Sequence, residues 1–349
     1  MAPPTRFAEL AQVLVWATDA TPMLAAIEAR YIECLSACLG RRLGELYGLD
    51  HALADRLRAE LDATSEADLV RALLMPATSR RLATQLHGAD EAARHLLRVL
   101  PHPQEPDARD GFLGRILGTV PVFTGRPGDM AGMDAVRIRI EELFVRAESR
   151  CQPILPFVSA VLRELHLEAD DSRADFFSRS PQGLVGHAVL TNPHLGMVDE
   201  VMLIEAVVHE ATHGFVGISE ALGLSGTDTE ARWLLDDGPY DGVSRVVSPW
   251  TGKALDIPTY LHACFVWWGL LHFWSDLVGS GLFDERRVRS RLLRAASGFR
   301  ERALVRELLP YQNLLQPTLL TCLDEMGRQA DEVLGTSGLG ELVMARGDH

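Results

Sequence analysis

The chain has 349 residues, is 47% hydrophobic and 23% charged, and carries a formal net charge of −14. That length can bury one large core or two smaller ones, and the composition is ordinary for a globular protein. The acidic balance argues against nonspecific nucleic-acid binding, which needs a cationic surface to displace counterions from phosphate.

In chain order, residues 7–100 read as helices, because apolar residues such as Leu10, Val13, Leu14 and Leu69, Leu73, Leu74 recur at helical spacing. Pro76 and Ser79 break that run between 68–74 and 80–86. The polar, proline-rich stretch 101–111 predicts a linker, dividing an N-terminal helical region, 1–110, from a catalytic region, 111–349. Residues 134–148 and 155–168 predict two amphipathic helices, and Gly183 to Asn192 a strand and turn. Asp199 is the expected N-cap of an apolar helix that runs through Val201, Leu203, Ile204, Val207 and Val208 into His209-Glu210-Ala211-Thr212-His213. Beyond it, 220–245 is turn-rich, 242–250 extended, 259–278 a strongly apolar helix, and 285–335 helical with interruptions at Pro310 and Pro317. The expected fold class is α+β, predominantly α-helical. A zincin-like HExxH helix lies next to a short β-sheet in a core at about 176–280, with helical regions on both sides and C-terminal helices at 285–335.

Five cysteines, Cys34, Cys38, Cys151, Cys264 and Cys322, are odd in number and irregular in spacing. Neither a disulfide framework nor a paired CxxC zinc site is expected from them. Basic residues are almost all arginine, with Lys253 the sole lysine. The opening MAPPTRFAEL has no basic segment leading into an apolar run, and no stretch of about 18 apolar residues is evident. A cytoplasmic protein without membrane contact is the expectation.

The HEATH segment carries the chemistry. Two histidines at i and i+4 sit about 40° apart on a helix, one turn separated, so both imidazoles reach a single ion. Glu210 beside them can approach the ion's open face or a bound water. Two histidines on an apolar helix would otherwise be costly to bury. Glu205, one turn before His209, reads either as a partner for an imidazole N–H or as a helix-surface carboxylate. A catalytic site of this kind needs a third protein ligand. Val216 and Ser219 stand where HExxHxxGxxH would require glycine and histidine, which excludes that class. Glu220, Glu230 and His262 remain, and His262, near the start of the second apolar helix, is preferred. His272, ten residues later, faces roughly 80° away. His166, His187 and His194 read as structural or surface residues, and Trp250, Trp267, Trp268, Phe273 and Trp274 as core.

Ser248-Pro249-Trp250 follow the HEATH helix, and His262 comes 12 residues after the tryptophan in a Leu-His-Ala context. In these residues the chain resembles the bacterial HExxH-motif proteins of peptide modification, the 2-oxoglutarate-dependent HExxH-type peptide β-hydroxylases, over roughly residues 176–280. The resemblance implies iron(II) held by His209, His213 and His262, with 2-oxoglutarate as cosubstrate. It implies hydroxylation of an unactivated carbon of a peptide or amino-acid substrate, free, leader-bound or carrier-bound, in natural-product tailoring. Glu210 would then orient or ligate rather than act as a base. The cosubstrate carboxylate calls for a bidentate arginine, for which Arg245, three residues before Ser248, is the candidate. Thr251 and Leu255 stand where many of those proteins carry arginine, with Lys253 the nearby cation. The alternative from the residues themselves is a zinc-dependent hydrolase or peptidase. There Glu210 would be general base for a zinc-bound water, with Glu220 or Glu230 completing the site. A third reading is a non-catalytic binding protein whose N-terminal helices hold a leader segment or a dimer partner.

Overall fold

A computed structural model describes residues 6–17, 22–27, 29, 123–124, 130–162, 164–180, 187–224, 233–235, 244–300 and 303–337. The helices read around Leu69 to Leu86, the pair Cys34 and Cys38, the linker at 101–111 and Glu230 lie outside these residues. Helix α1 spans Arg6–Val13, and strand β1 Phe123–Thr124. Helices α2, Met130–Glu148, and α3, Ile154–Val161, follow. Then come β2, Glu164–Glu168, β3, Phe177–Arg179, and β4, His187–Thr191. The long α4, Glu200–Leu224, leads to the hairpin β5, Arg245–Val247, and β6, Ala254–Asp256. The chain continues through α5, Ile257–Leu277, α6, Glu285–Ser297, α7, Ala303–Leu308, a 3-10 turn and α8, Pro317–Thr336. The described protein is thus predominantly helical with a small mixed sheet, the coarse class read from the sequence.

The sheet runs β1-β2-β4-β3, with β1, β2 and β4 parallel and β3 antiparallel to β4 at one edge. The helix expected over 155–168 is two elements. It stops at Val161, Leu162 turns extended, and 164–168 pairs in parallel with β4, Leu165 opposite Ala188 and Leu167 opposite Leu190. Leu165 and Leu167 are both buried, the period-two pattern of a strand. Asn192, just after β4, adopts φ of 56°, a left-handed conformation that asparagine tolerates better than most residues. Its side chain accepts from the Asp170 amide at 2.7 Å and donates to the carbonyls of Asp170 and Arg173 at 3.0 and 3.1 Å. That clamp fixes the turn leading into β3 and so positions the sheet edge.

Helix α4 begins where the sequence places it: Asp199 caps it, accepting from Met202 N at 2.8 Å. The stretch 200–220 is long and apolar enough to cross a membrane, yet most of it lies buried inside the fold. It is the core helix, packed on β3, β4, α3 and α5. Helix α5 has its own cap, Asp256, which accepts from Thr259 N at 2.8 Å with Pro258 in the first turn. Helix α1 docks on α5, because the indoles of Trp268 and Trp16 reach across to Ala11 O at 3.0 Å and Gly269 O at 2.8 Å. This first N-terminal helix therefore shares the core that holds the motif. Cys151, Cys264 and Cys322 are free and buried, and burial pushes each thiol's pKa up.

Candidate metal centre

His209 and His213 occupy one face of α4, with ring centroids 4.9 Å apart. Two imidazoles sharing an ion at a metal–nitrogen distance of about 2.1 Å hold their centroids roughly 4.5–5.5 Å apart, so this spacing suits a common ion. Burial lowers the His209 pKa to about 4, helped by the positive charge of Arg294. It lowers that of His213 to about 3, helped by His209 and His262 and opposed by Glu210. Both rings are neutral at pH 7, the form in which imidazole ligates metal. Neither makes a hydrogen bond among the described residues.

Helix α5 brings His262 to His213, ring centroids 6.0 Å apart and planes within 21°. His262 Nε2 lies 2.9 Å from Glu220 Oε2, and its other neighbour is the buried Trp233 at 5.8 Å. The two leading candidates for a third ligand therefore stand together and hold each other. Among the described residues no three His, Cys, Asp or Glu side chains form a ready ion cage. To complete the set, His262 would turn its Nδ1 toward the ion with Nε2 still held by Glu220, or Glu220 would itself turn inward.

Glu210 is 2% exposed, and its carboxylate is held from the sheet edge. Ser178 Oγ donates to Oε1 at 2.7 Å and Ser180 Oγ to Oε2 at 2.6 Å. Residues two apart on a strand share a face, so β3 and its continuation deliver both hydroxyls to one side chain. Sequence reasoning missed these serines; the only signal was the alternation within Phe-Ser-Arg-Ser.

Glu205 differs from its expected role. Its carboxylate accepts from Trp274 Nε1 at 2.8 Å and pairs with Arg291 at 3.0 Å, not with an imidazole. Burial raises its pKa, opposed by Arg291. Arg245 lies exposed on β5, donates to Ser244 O at 3.2 Å, and lends its charge to Asp256. The guanidinium whose charge reaches His209 is Arg294, which stands 5.4 Å over the Trp267 ring. Trp267 in turn meets His209 at 6.3 Å, nearly perpendicular.

The Ser248-Pro249-Trp250 segment begins the turn of the β5–β6 hairpin. Ser248 N donates to Lys253 O and Gly252 N to Ser248 O, both at 2.8 Å, with Gly252 at φ of 67°. The turn throws Trp250 inward, where it stacks on Trp267 at 5.6 Å and 10° and donates to Ala295 O at 2.8 Å. His272 sits apart from the centre, edge-on to Trp268 at 4.2 Å, with its pKa lowered by burial to about 4. His166 lies in β2 and His187 opens β4, while His194 follows that strand with its Nδ1 buried and unpartnered among the described residues. In comparisons with known proteins, no family model and no curated protein matches the chain.

Proposed function

We propose that the chain is a mononuclear metal enzyme, an iron(II)- and 2-oxoglutarate-dependent oxygenase that hydroxylates an unactivated carbon of a peptide or amino-acid substrate. A zincin-like motif helix beside a mixed sheet is part of this reading. The donor chemistry fits a divalent ion: two neutral, desolvated imidazoles on one helix face, with no hydrogen bond of their own among the described residues. Imidazole suits iron and zinc alike, so the ligands alone do not choose the metal. His209 and His213 would hold it, with His262 as third ligand and Glu220 orienting the ring from the other nitrogen, a usual arrangement behind a ligating histidine. Bound iron would supply the activation of dioxygen, coupled to decarboxylation of 2-oxoglutarate to succinate.

The observation that carries the reading is the state of Glu210. A general base must reach the proton it takes, within about 3 Å or through one water. Here both carboxylate oxygens are tied to Ser178 and Ser180 in a buried position. That arrangement favours a fixed acceptor that holds β3 against α4 over the mobile base of a zinc hydrolase. Trp267, wedged between His209 and Trp250, would wall the substrate side from water. Arg245 would supply the fork for the cosubstrate carboxylate.

The test is anaerobic reconstitution with iron(II), then addition of 2-oxoglutarate while the visible metal-to-ligand charge-transfer band is followed. The expected band appears in wild type, is lost in His262→Ala, survives in Glu220→Gln and requires more 2-oxoglutarate in Arg245→Gln. Tight zinc retention with no band, unaffected by His262→Ala, would overturn the oxygenase reading in favour of hydrolysis with Glu220 as ligand.

A further inference from the structure

Helix α6 carries an unusual concentration of positive charge for a chain whose net charge is −14. Asp284, Arg286, Arg287, Ser290, Arg291 and Arg294 line a cavity of about 590 Å³ along it. The four guanidinium groups fall into two sets. Arg287 pairs with Asp199 and Arg291 with Glu205, so both are neutralised by carboxylates at the start of α4 and within it. Arg286 and Arg294 make no ion pair among the described residues. The one carboxylate in the lining, Asp284, caps the helix by accepting from Arg287 N at 2.8 Å.

Helical spacing explains the division. Positions 286, 290 and 294 are four apart and form one stripe, while 287 and 291 form the next, turned toward α4. The open stripe therefore reads Arg-Ser-Arg, with its outer Cα atoms about 12 Å apart at 1.5 Å of rise per residue. Two guanidinium forks at that separation, with a hydroxyl between them, are poorly matched to one compact anion. They match a ligand that carries carboxylates at intervals, each able to accept two parallel N–H bonds.

We propose that this cavity binds an acidic peptide segment, with Arg286 and Arg294 each gripping a side-chain carboxylate and Ser290 donating between them. The Arg294 end adjoins the candidate metal centre through Trp267, 5.4 Å from the guanidinium and 6.3 Å from His209. A segment held there would be the acidic flank of a peptide whose neighbouring residue is presented to the metal. The inference rests on the peptide-modifying reading for its direction, but binding itself requires neither metal nor turnover.

The experiment is isothermal titration of the metal-free protein with an N-acetylated tetraglutamate peptide. Tetraglutamine, inorganic phosphate and 2-oxoglutarate form the other arms. Tetraglutamate should bind and tetraglutamine should not, with affinity falling as salt is raised. Arg286→Gln and Arg294→Gln should each weaken binding by about two- to five-fold, the loss expected for one solvent-exposed charge pair. Arg137→Gln, on α2 and outside the cavity, should change nothing, and thermal melts check that every variant is folded. Equal binding of tetraglutamine, unchanged affinity in both cavity variants, or an equal loss in Arg137→Gln would overturn the proposal. So would displacement of tetraglutamate by equimolar phosphate or 2-oxoglutarate, which would make this a small-anion site. Absent peptide binding with an intact iron–2-oxoglutarate band removes the cavity assignment alone; the reverse pattern removes the oxygenase reading alone.

Discussion

Replacing Gly298 with alanine probes the aromatic stack beneath His209. Gly298 closes α6 at φ of −79°, a backbone any residue adopts, so conformational freedom is not the reason for glycine. Space is the reason. A Cβ there would lie 2.5 Å from Trp250 Cζ2, with two further indole atoms closer still. Favourable carbon contacts lie at about 3.5–4.0 Å, so the indole would have to move by roughly 1.5 Å. It is held on three sides: stacked on Trp267 at 5.6 Å, met edge-on by Phe299 at 5.4 Å, and bonded to Ala295 O at 2.8 Å. Overpacking typically costs about 1–3 kcal/mol, and weakening a buried N–H contact a similar amount. These losses overlap, so Gly298→Ala should destabilise by about 2–4 kcal/mol, read as a lower urea midpoint at constant slope. Because Trp267 joins Trp250 to His209, metal affinity should fall too. Trp250→Phe in the alanine background makes room and should recover part of the loss. Unchanged stability in Gly298→Ala, or simple additivity in the double variant, would refute the steric argument.

Three other substitutions test buried polar groups. Ser178→Ala and Ser180→Ala each remove a hydrogen bond to a buried carboxylate and should cost about 1.5–3 kcal/mol in urea unfolding. The pair should cost more than the sum, because Glu210 then loses both of its donors among the described residues; single variants as stable as wild type would show that the serines do not hold it. Burial keeps the His272 pKa at about 4 in place of 6.5, so the unfolded chain takes up the proton first as pH falls. Stability is therefore lost between about pH 6.5 and 4, by roughly 3 kcal/mol in full. His272→Leu should flatten that part of the stability–pH profile, and an unchanged profile would contradict the assignment.

The elements that carry the candidate metal ligands were legible in the sequence because local signals sufficed for them. Helices α4 and α5 are long apolar runs, and Asp199 is the cap it reads as. Strand β4 and its turn at Asn192 were visible for the same reason. The helix expected over 155–168 failed because Leu165 continues the helical spacing of Val158, Val161 and Leu162, and only pairing with β4 decides for a strand. Glu205 was read as an imidazole partner or a surface carboxylate and is neither: Trp274 and Arg291 come from 69 and 86 positions away, and no local pattern announces them. His262 was singled out without Glu220 as its hydrogen-bond partner, since that contact spans 42 positions.

The HExxH spacing constrains its histidines far more than its glutamate. Helix geometry alone puts two imidazoles on one face, whatever packs around them. The glutamate's task depends on the neighbouring element, here an edge strand whose described pairing with β4 spans only three residues. With one oxygen on Ser178 and the other on Ser180, Glu210 ties the sheet edge to the motif helix. Glu210→Gln separates the two chemistries cleanly, because the amide keeps the side chain's shape. Its oxygen can still accept from one serine, and its NH₂ can donate to the other once that hydroxyl rotates. Folding and metal content should therefore be nearly retained. If the glutamate is a fixed acceptor, 2-oxoglutarate binding to the iron-loaded variant should remain within a few-fold of wild type. If it is the base for a metal-bound water, a positioned proton acceptor worth about 10²–10⁴-fold is removed, and hydrolysis should collapse by that factor with metal still bound. A variant that keeps its metal but loses 2-oxoglutarate binding altogether would refute the structural role assigned to the serine–glutamate contact.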